Sequence, residues 1–423
     1  MILCFVLSLM FAFTTWFVFG TLAIPPDPVQ QGNEDPPDSP HRFTRAQVTQ
    51  LVSRIEKRLD EETVFVIAGQ NARPLYLQTT IDLEVQKKIK NLLEQSGAEA
   101  GAVVVVNPQN GRVTALADFG RADGMPVWSA RFPAASIFKI ITAAAALEEG
   151  AVTPESKIPF SGGKYTLYKK NLKLEANRYS QYVRFDGAFA QSINSIFGKV
   201  GLHLTGPKIL AKYARLFGFE EKIQCDVPIE TSCLLVPESD FQVAELASGY
   251  NRVTQISPIH AASLPVAVLN DGIQPVVSVV DKIRDADDHN YYLGPVIGSE
   301  RIISADSARQ LRTLMQATIE KGTCSRAFRN IRRYTQHDLA EVGGKTGNIG
   351  NEEHTLRYEW FVGYVLDKKE NRSMALAVLM IHGDRLGFRA HRIGATLVKD
   401  FLCSEVPWGS AGGTREQASA RPL

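Results

Sequence analysis

Residues 133–150 read "PAASIFKIITAAAALEEG". From Ala134 to Leu147 only Ser136, Lys139 and Thr142 interrupt the apolar run. Such a run predicts a helix buried in a core. Pro133 suits its first turn, and Gly150 ends it. Ser136 and Lys139 stand three residues apart, so they share one face near the helix start. A charged lysine among Phe138, Ile140 and Ile141 is expensive to bury. Either its ammonium snorkels to water, or its lost charge has a use. A neutral lysine can take the proton of a serine hydroxyl, which is otherwise a poor nucleophile. The helix N-terminus would also favour a developing oxyanion. The S-x-x-K pattern does not decide the matter, because "SGGK" at 161–164 repeats it. The paired glycines there argue against a helix, so that copy reads as a decoy.

The flanking elements follow from periodicity. "LYLQTTIDLEVQKKIKNLLEQSG" reads as a strand and then a helix, capped by Thr80 or Asp82 and stopped by Gly97. "GAVVVVNPQNGRVTALADFG" places two β-branched runs around "NPQNG", a hairpin signal. Residues 151–250 are helical and loop-rich, with "GAFAQSINSIFGKVGLHL" as one helical region. "SPIHAASLPVAVLNDG" forms another, which Pro265 should kink. Three strands come last, "EVGGKTGNI", "EWFVGYVLD" and "SMALAVLMIHG", before the helix "HRIGATLVKDFL". Short connections favour an antiparallel sheet. The expected class is α+β: a central antiparallel sheet covered by helices on both faces, plus a mostly helical subdomain.

Composition excludes several classes. With 44% hydrophobic and 22% charged residues the chain is an ordinary globular protein. Its net charge of +2 and the lack of a long basic run give no reason to expect nucleic acid. No C-x-x-C or H-E-x-x-H occurs, and no metal is expected. Cys225 and Cys233 flank a short loop, and a disulfide and two free thiols are both open readings. The first 24 residues carry no charged side chain and are long enough for an uncleaved membrane anchor, with a cleaved signal as the alternative. "PPDPVQQGNEDPPDSPH" at 25–41 reads as a disordered Pro-rich linker. "RAQVTQLVSRIEKRLDEE" follows as an amphipathic helix with Val48, Leu51, Val52, Ile55 and Leu59 on one face.

Two further motifs complete a set. "SIN" at 192–194 is the chain's S-x-N, inside the helical block. "GGKTGN" at 343–348 is its K-T-G, on a strand whose glycines let a ligand backbone approach. S-x-x-K, S-x-N and K-T-G, in this order and on these elements, define the penicillin-binding proteins and serine β-lactamases. The chain resembles the transpeptidase domain of penicillin-binding proteins over about residues 75–405. "TTIDLEVQKKI", "AGAVVVVNPQNGRVTALA", "SPIHAASLPVAVLNDGIQPV" and "WFVGYV" are each similar to family segments.

The resemblance implies a peptidoglycan D,D-transpeptidase that cross-links stem peptides and is acylated by β-lactams. It implies that Ser136 is the nucleophile and Lys139 its base. Ser192 would relay a proton to the leaving amine, with Lys345 supporting it. Asn194, Thr346, Gly347 and Asn348 would hold substrate, and the backbone N–H groups of Ser136 and Asn348 would form the oxyanion hole. No cofactor is implied. Tyr179, Tyr182, Tyr358 and Trp360 are candidate cleft aromatics. The resemblance also implies a single-pass protein of the cytoplasmic membrane whose catalytic domain faces the periplasm or exterior. The chain then divides into 1–24 anchor or signal, 25–41 linker, 42–97 helical segment, 98–405 catalytic domain and 406–423 disordered tail. The short segment ahead of the domain leaves no room for a glycosyltransferase, so a separate one is an expected partner.

Three positions depart from the family. Asn348 stands where threonine is usual, Ala135 where glycine precedes the serine, and Ile140 where proline follows the lysine. Two alternatives keep the same serine: a D,D-carboxypeptidase or a class D-like β-lactamase, which need water at the acyl ester. Asn194 argues against the latter. A third, motivated by Asn348, is a β-lactam sensor or inactive cell-wall scaffold.

Overall fold

A computed structural model describes residues 43–55, 64–68, 74–120, 127–176, 178–294, 299–404 and 408. The expected anchor 1–24, the linker 25–41 and, apart from Trp408, the tail 406–423 lie outside the described residues. Among the described residues no helix is long and apolar enough to cross a membrane.

The centre is a five-stranded antiparallel sheet. Its strands are, in spatial order, Ala340–Gly350, Arg357–Asp367, Arg372–His382, Ala100–Val106 and Val113–Gly120. The hairpin at 100–120 and the three late strands thus join as one sheet, through the pairing of Leu379 with Ala102. These strands are covered on both faces, which is why "VVVV", "WFVGYV" and "MALAVLMI" are nearly unbroken apolar runs. Alternation sends Trp360, Val362 and Tyr364 into one core, and Phe361 and Val365 into the other. Pro258–Leu269 covers the first face. Leu83–Glu94 and Ala390–Cys403 cover the second. Asp82 caps the former through its side chain, accepting from Glu84 and Val85. Trp408 packs edge-on against Phe401.

The first core continues into the helical block that carries Lys139–Glu148, Phe185–Ala190, Asn194–Lys199, Gly206–Leu216 and Asp240–Ser248. Ala305–Glu320 bridges this block and the outer strand Ala340–Gly350. That strand is the sheet edge, so one row of its N–H and C=O groups is unpaired within the sheet.

The segment 42–97 holds more than helices. After Arg45–Ile55, whose Val48 and Val52 are buried, come strands Val64–Ala68 and Pro74–Thr79. They pair with Val280–Arg284 and Asn290–Leu293 in a second, four-stranded sheet. Cys225 and Cys233 are both free thiols. Their backbones bridge to different segments, Cys225 to Val277 and Cys233 to Gln255, which draws the two apart.

Candidate active site

The Ser136 segment departs from a simple helix start. Phe132–Pro133 is a short strand paired with Gln255–Ile256, so Pro133 does not open the helix. Trp360 Nε1–H donates to the Pro133 carbonyl at 2.9 Å, pinning this strand to the central sheet. Ala135 then takes a left-handed φ of 47°, and Ala135–Phe138 forms a 3₁₀ turn ahead of the α-helix Lys139–Glu148. In a 3₁₀ turn the side chains at i and i+3 eclipse. Ser136 and Lys139 therefore line up more closely than an α-helix would bring them, with Nζ 2.7 Å from Ser136 Oγ. The left-handed φ also explains why glycine suits position 135. Gly249, at φ 64°, is required for close approach, since a Cβ there would meet the Ala135 carbonyl at 1.9 Å.

Lys139 is fully buried and has no carboxylate partner among the described residues. Its other contacts are neutral acceptors: Asn194 Oδ1 at 2.7 Å and the Ser248 carbonyl at 2.6 Å. The latter is a C-terminal carbonyl of Asp240–Ser248, left without an intrahelical partner. Burial, and secondarily the nearby Lys345, hold the Lys139 pKa well below the usual lysine value. The neutral amine has two N–H groups and one lone pair. Donating to Asn194 and Ser248 leaves the lone pair facing Ser136, whose O–H can donate to it.

The second motif sits at a break. The helical region expected over 187–204 is divided into Phe185–Ala190, Asn194–Lys199 and a π-helical turn Val200–Thr205. Ser192 occupies the gap with φ 55°. That break aims its hydroxyl at Lys345 Nζ, 2.9 Å away. Asn194 opens the next helix, and its amide is oriented from both ends: Oδ1 accepts from Lys139, and Nδ2 donates to the Tyr165 carbonyl at 2.8 Å. The decoy S-x-x-K is not helical, yet it is adjacent, because the Lys164 carbonyl accepts from Asn194 N–H.

The K-T-G strand closes the site. Lys345 is buried, donates to Ser192 and to the Thr346 carbonyl, and has its pKa lowered to about 7 by burial. Thr346 Oγ1 lies 2.7 Å from Thr323 Oγ1. Gly347 passes over the nucleophile turn, and a Cβ there would stand 3.3 Å from Ser136 N. Asn348 is exposed at the cavity and pairs in register with Glu359 of the next strand.

A cavity of about 410 Å³ joins these pieces. Ser136, Ser192, Asn194, Thr346, Gly347 and Asn348 line it, with Lys139 and Lys345 buried behind the two serines. Thr323, Tyr165, Tyr250, Gly249, Glu359, Arg389 and His391 also line it and carry no motif signal in the sequence. The aromatic candidates lie elsewhere. Tyr179 and Tyr182 are exposed outside the lining, Tyr358 stacks on Phe132, and Trp360 is wholly buried. Large aromatics are more often core or surface than cleft, and here Tyr165 and Tyr250 take the cleft positions.

Behind Asn348 lies a second buried charge group. Burial works against ionising Glu359, but His382, His391 and the Arg389 guanidinium overcome it and push its pKa down to about 2. His391 Nδ1 is 3.3 Å and His382 Nε2 3.4 Å from its oxygens, and Arg389 Nε–H donates to it.

This constellation agrees with comparison to known proteins. Residues 101–402 match the penicillin binding protein transpeptidase domain family. The chain belongs to that family. It is 26% identical over 303 residues to Stage V sporulation protein D of Bacillus subtilis, covering 64% of this chain but 44% of that protein. It is 24% identical over 411 residues to the peptidoglycan D,D-transpeptidase PbpA of Mycolicibacterium smegmatis, covering 86% of this chain and 79% of that one. The fold resembles penicillin-binding protein A from M. tuberculosis in an imipenem acyl-enzyme complex, with a TM-score of 0.59, 21% identity, and 76% and 79% of the two chains covered.

Proposed function

We propose that this chain is a serine-type peptidoglycan D,D-transpeptidase. One observation carries the reading: a buried lysine without a carboxylate partner among the described residues, its Nζ 2.7 Å from a serine hydroxyl on the cavity wall. Lys139 takes the Ser136 proton as Oγ attacks the carbonyl carbon of the penultimate D-alanine in a stem peptide. Negative charge on the carbonyl oxygen is met by the backbone N–H groups of Ser136 and Asn348, which the bare Gly347 lets approach. The C–N bond then breaks. Ser192 delivers a proton to the departing D-alanine amine, and Lys345 supports Ser192 from behind. Thr346 and Thr323 hold the leaving group's carboxylate. The second lone pair of Asn194 Oδ1 accepts from the substrate backbone. An acceptor amine then attacks the ester, and Ser136 regains its proton.

β-Lactams acylate the same Ser136. The acyl-enzyme seen in the M. tuberculosis relative supports this step. The uncharged segment 1–24 supports a membrane tether, with the catalytic domain on the outer face of the cytoplasmic membrane.

The test is incubation with a fluorescent penicillin followed by peptide mapping. Label should sit on Ser136, and Ser136→Ala should carry none. Label on another residue, or on Ser136→Ala, would overturn the assignment.

A further inference from the structure

The catalytic cavity opens into two grooves of contrasting charge. One, of about 840 Å³, continues past Tyr250 and Asn348, which line both spaces. It mixes acids and bases: Glu245, Glu352 and Asp384 with Arg252 and Arg357. The other, of about 760 Å³, continues past Thr323, Arg389 and His391, again shared with the cavity. Beyond them it is lined by Arg326, Arg392 and Lys399 and by a single acid, Asp400. Lys88 neutralises that acid at 2.7 Å. Arg326, Arg392 and Lys399 have no ion-pair partner among the described residues, although all three are exposed. The net charge of the whole chain is only +2, so this is a local concentration of positive charge, not a general one.

We infer that this basic groove is the entry and binding site for the acceptor: a peptide amine that carries free carboxylates. The inference rests on the transpeptidase reading of the site. In transpeptidation the second half-reaction retraces the first with a new amine. The amine nitrogen forms a C–N bond to the acyl carbon as the C–O bond to Ser136 Oγ breaks, and the amine's proton returns to Ser136 Oγ through the same bases. The acceptor must therefore come from the side by which the first amine left. Ser192, Lys345, Thr346 and Thr323 mark that side, and Thr323 is the residue at which the basic groove begins. The donor stem occupies the mixed-charge groove at the opposite end, beyond Asn348. Carboxylates on the incoming peptide meet Arg326, Arg392 and Lys399 before its amine reaches the ester. Interactions of this kind steer and orient a charged partner, and they weaken with salt.

The test uses the whole chain, a D-alanyl-D-alanine-terminated peptide as donor, and two acceptors. One acceptor is a peptide amine with free carboxylates. The other is the same peptide with those carboxylates amidated. The wild type should prefer the carboxylate acceptor, and the preference should fall as salt rises. The triple variant R326E, R392E, K399E should lose that preference by at least about tenfold. It should still be labelled on Ser136 by penicillin at the wild-type rate, and still use the amidated acceptor. Unchanged acceptor preference in the triple variant, with labelling intact, would overturn the groove assignment alone. So would loss of binding to anionic phospholipid vesicles with acceptor preference unchanged, which would make the groove a membrane contact. Failure of the wild type to be acylated, or to transfer to any amine, would instead overturn the transpeptidase reading and this inference with it.

Discussion

Two buried charge groups flank the K-T-G strand on opposite faces of the sheet, and they behave in opposite ways. On one face Lys139 and Lys345 are enclosed by phenylalanine rings, hydroxyls and carbonyls, with no carboxylate in contact among the described residues. Burial strips both of proton affinity. On the other face Glu359 is also buried, but two imidazoles and a guanidinium surround it and hold it ionised. The difference lies in the partners and not in the depth. A buried charge given opposite charges becomes a fixed structural ion, and one given only neutral dipoles becomes a reactive base. The two lysines also differ from each other. Lys139 is depressed first by burial and then by the charge on Lys345, whereas burial alone lowers Lys345.

This comparison can be broken most severely by restoring a permanent charge. Lys139→Arg places a guanidinium that cannot deprotonate next to Ser136. Acylation by labelled penicillin should slow by roughly 10³-fold or more, measured as single-turnover kinetics. A milder break supplies the missing carboxylate. Asn194→Asp should raise the Lys139 pKa and move the rising limb of the acylation pH profile upward with it. An unmoved limb would mean that Lys139 is not the base.

The complementary change removes the carboxylate from the other face. Glu359→Gln leaves the Arg389 guanidinium without its counter-charge and should cost about 3 kcal/mol in denaturant unfolding. The wild type should show the matching pH dependence. Since the folded pKa of Glu359 lies below its unfolded value, its stabilisation is present above about pH 4.5. It fades as pH falls toward about 2, and Glu359→Gln should lose that acid limb. The smallest effect is expected at Ala135, whose φ of 47° strains a residue with a Cβ. Ala135→Gly should change stability by less than about 1 kcal/mol, in the stabilising direction, because relief of strain exceeds the gain in unfolded-state entropy. Thermal denaturation checks this.

Much of this arrangement is legible in the sequence, and the exceptions have physical reasons. Ser136, Ser192 and Lys345 stand out because they are side-chain motif residues whose spacing fits their elements, and folding brings them to one cavity. The five-stranded sheet is legible because strands buried on both faces cannot hide their apolar runs. The second sheet is not, since it joins residue 76 to residue 284, and pairing at that separation leaves no local pattern. Ser248 and Tyr165 contribute backbone carbonyls, which any residue type could supply. Thr323 is an ordinary threonine until folding sets it against Thr346. The left-handed residues Ala135 and Ser192 read as helix interior, because neither carries the glycine that usually marks such a backbone. The basic groove is equally silent, as its arginines and lysine come from two segments that meet only in the folded chain.

The account depends on Lys139 being uncharged when Ser136 is attacked. The direct measurement is the rate of Ser136 acylation by labelled penicillin from pH 4 to pH 10. The account predicts a maximum below about pH 7, with the rising limb set by Lys139 and a fall as Lys345 loses its proton near pH 7. A rate that is negligible at neutral pH and climbs steadily to pH 10, as an ordinary exposed lysine would give, contradicts it.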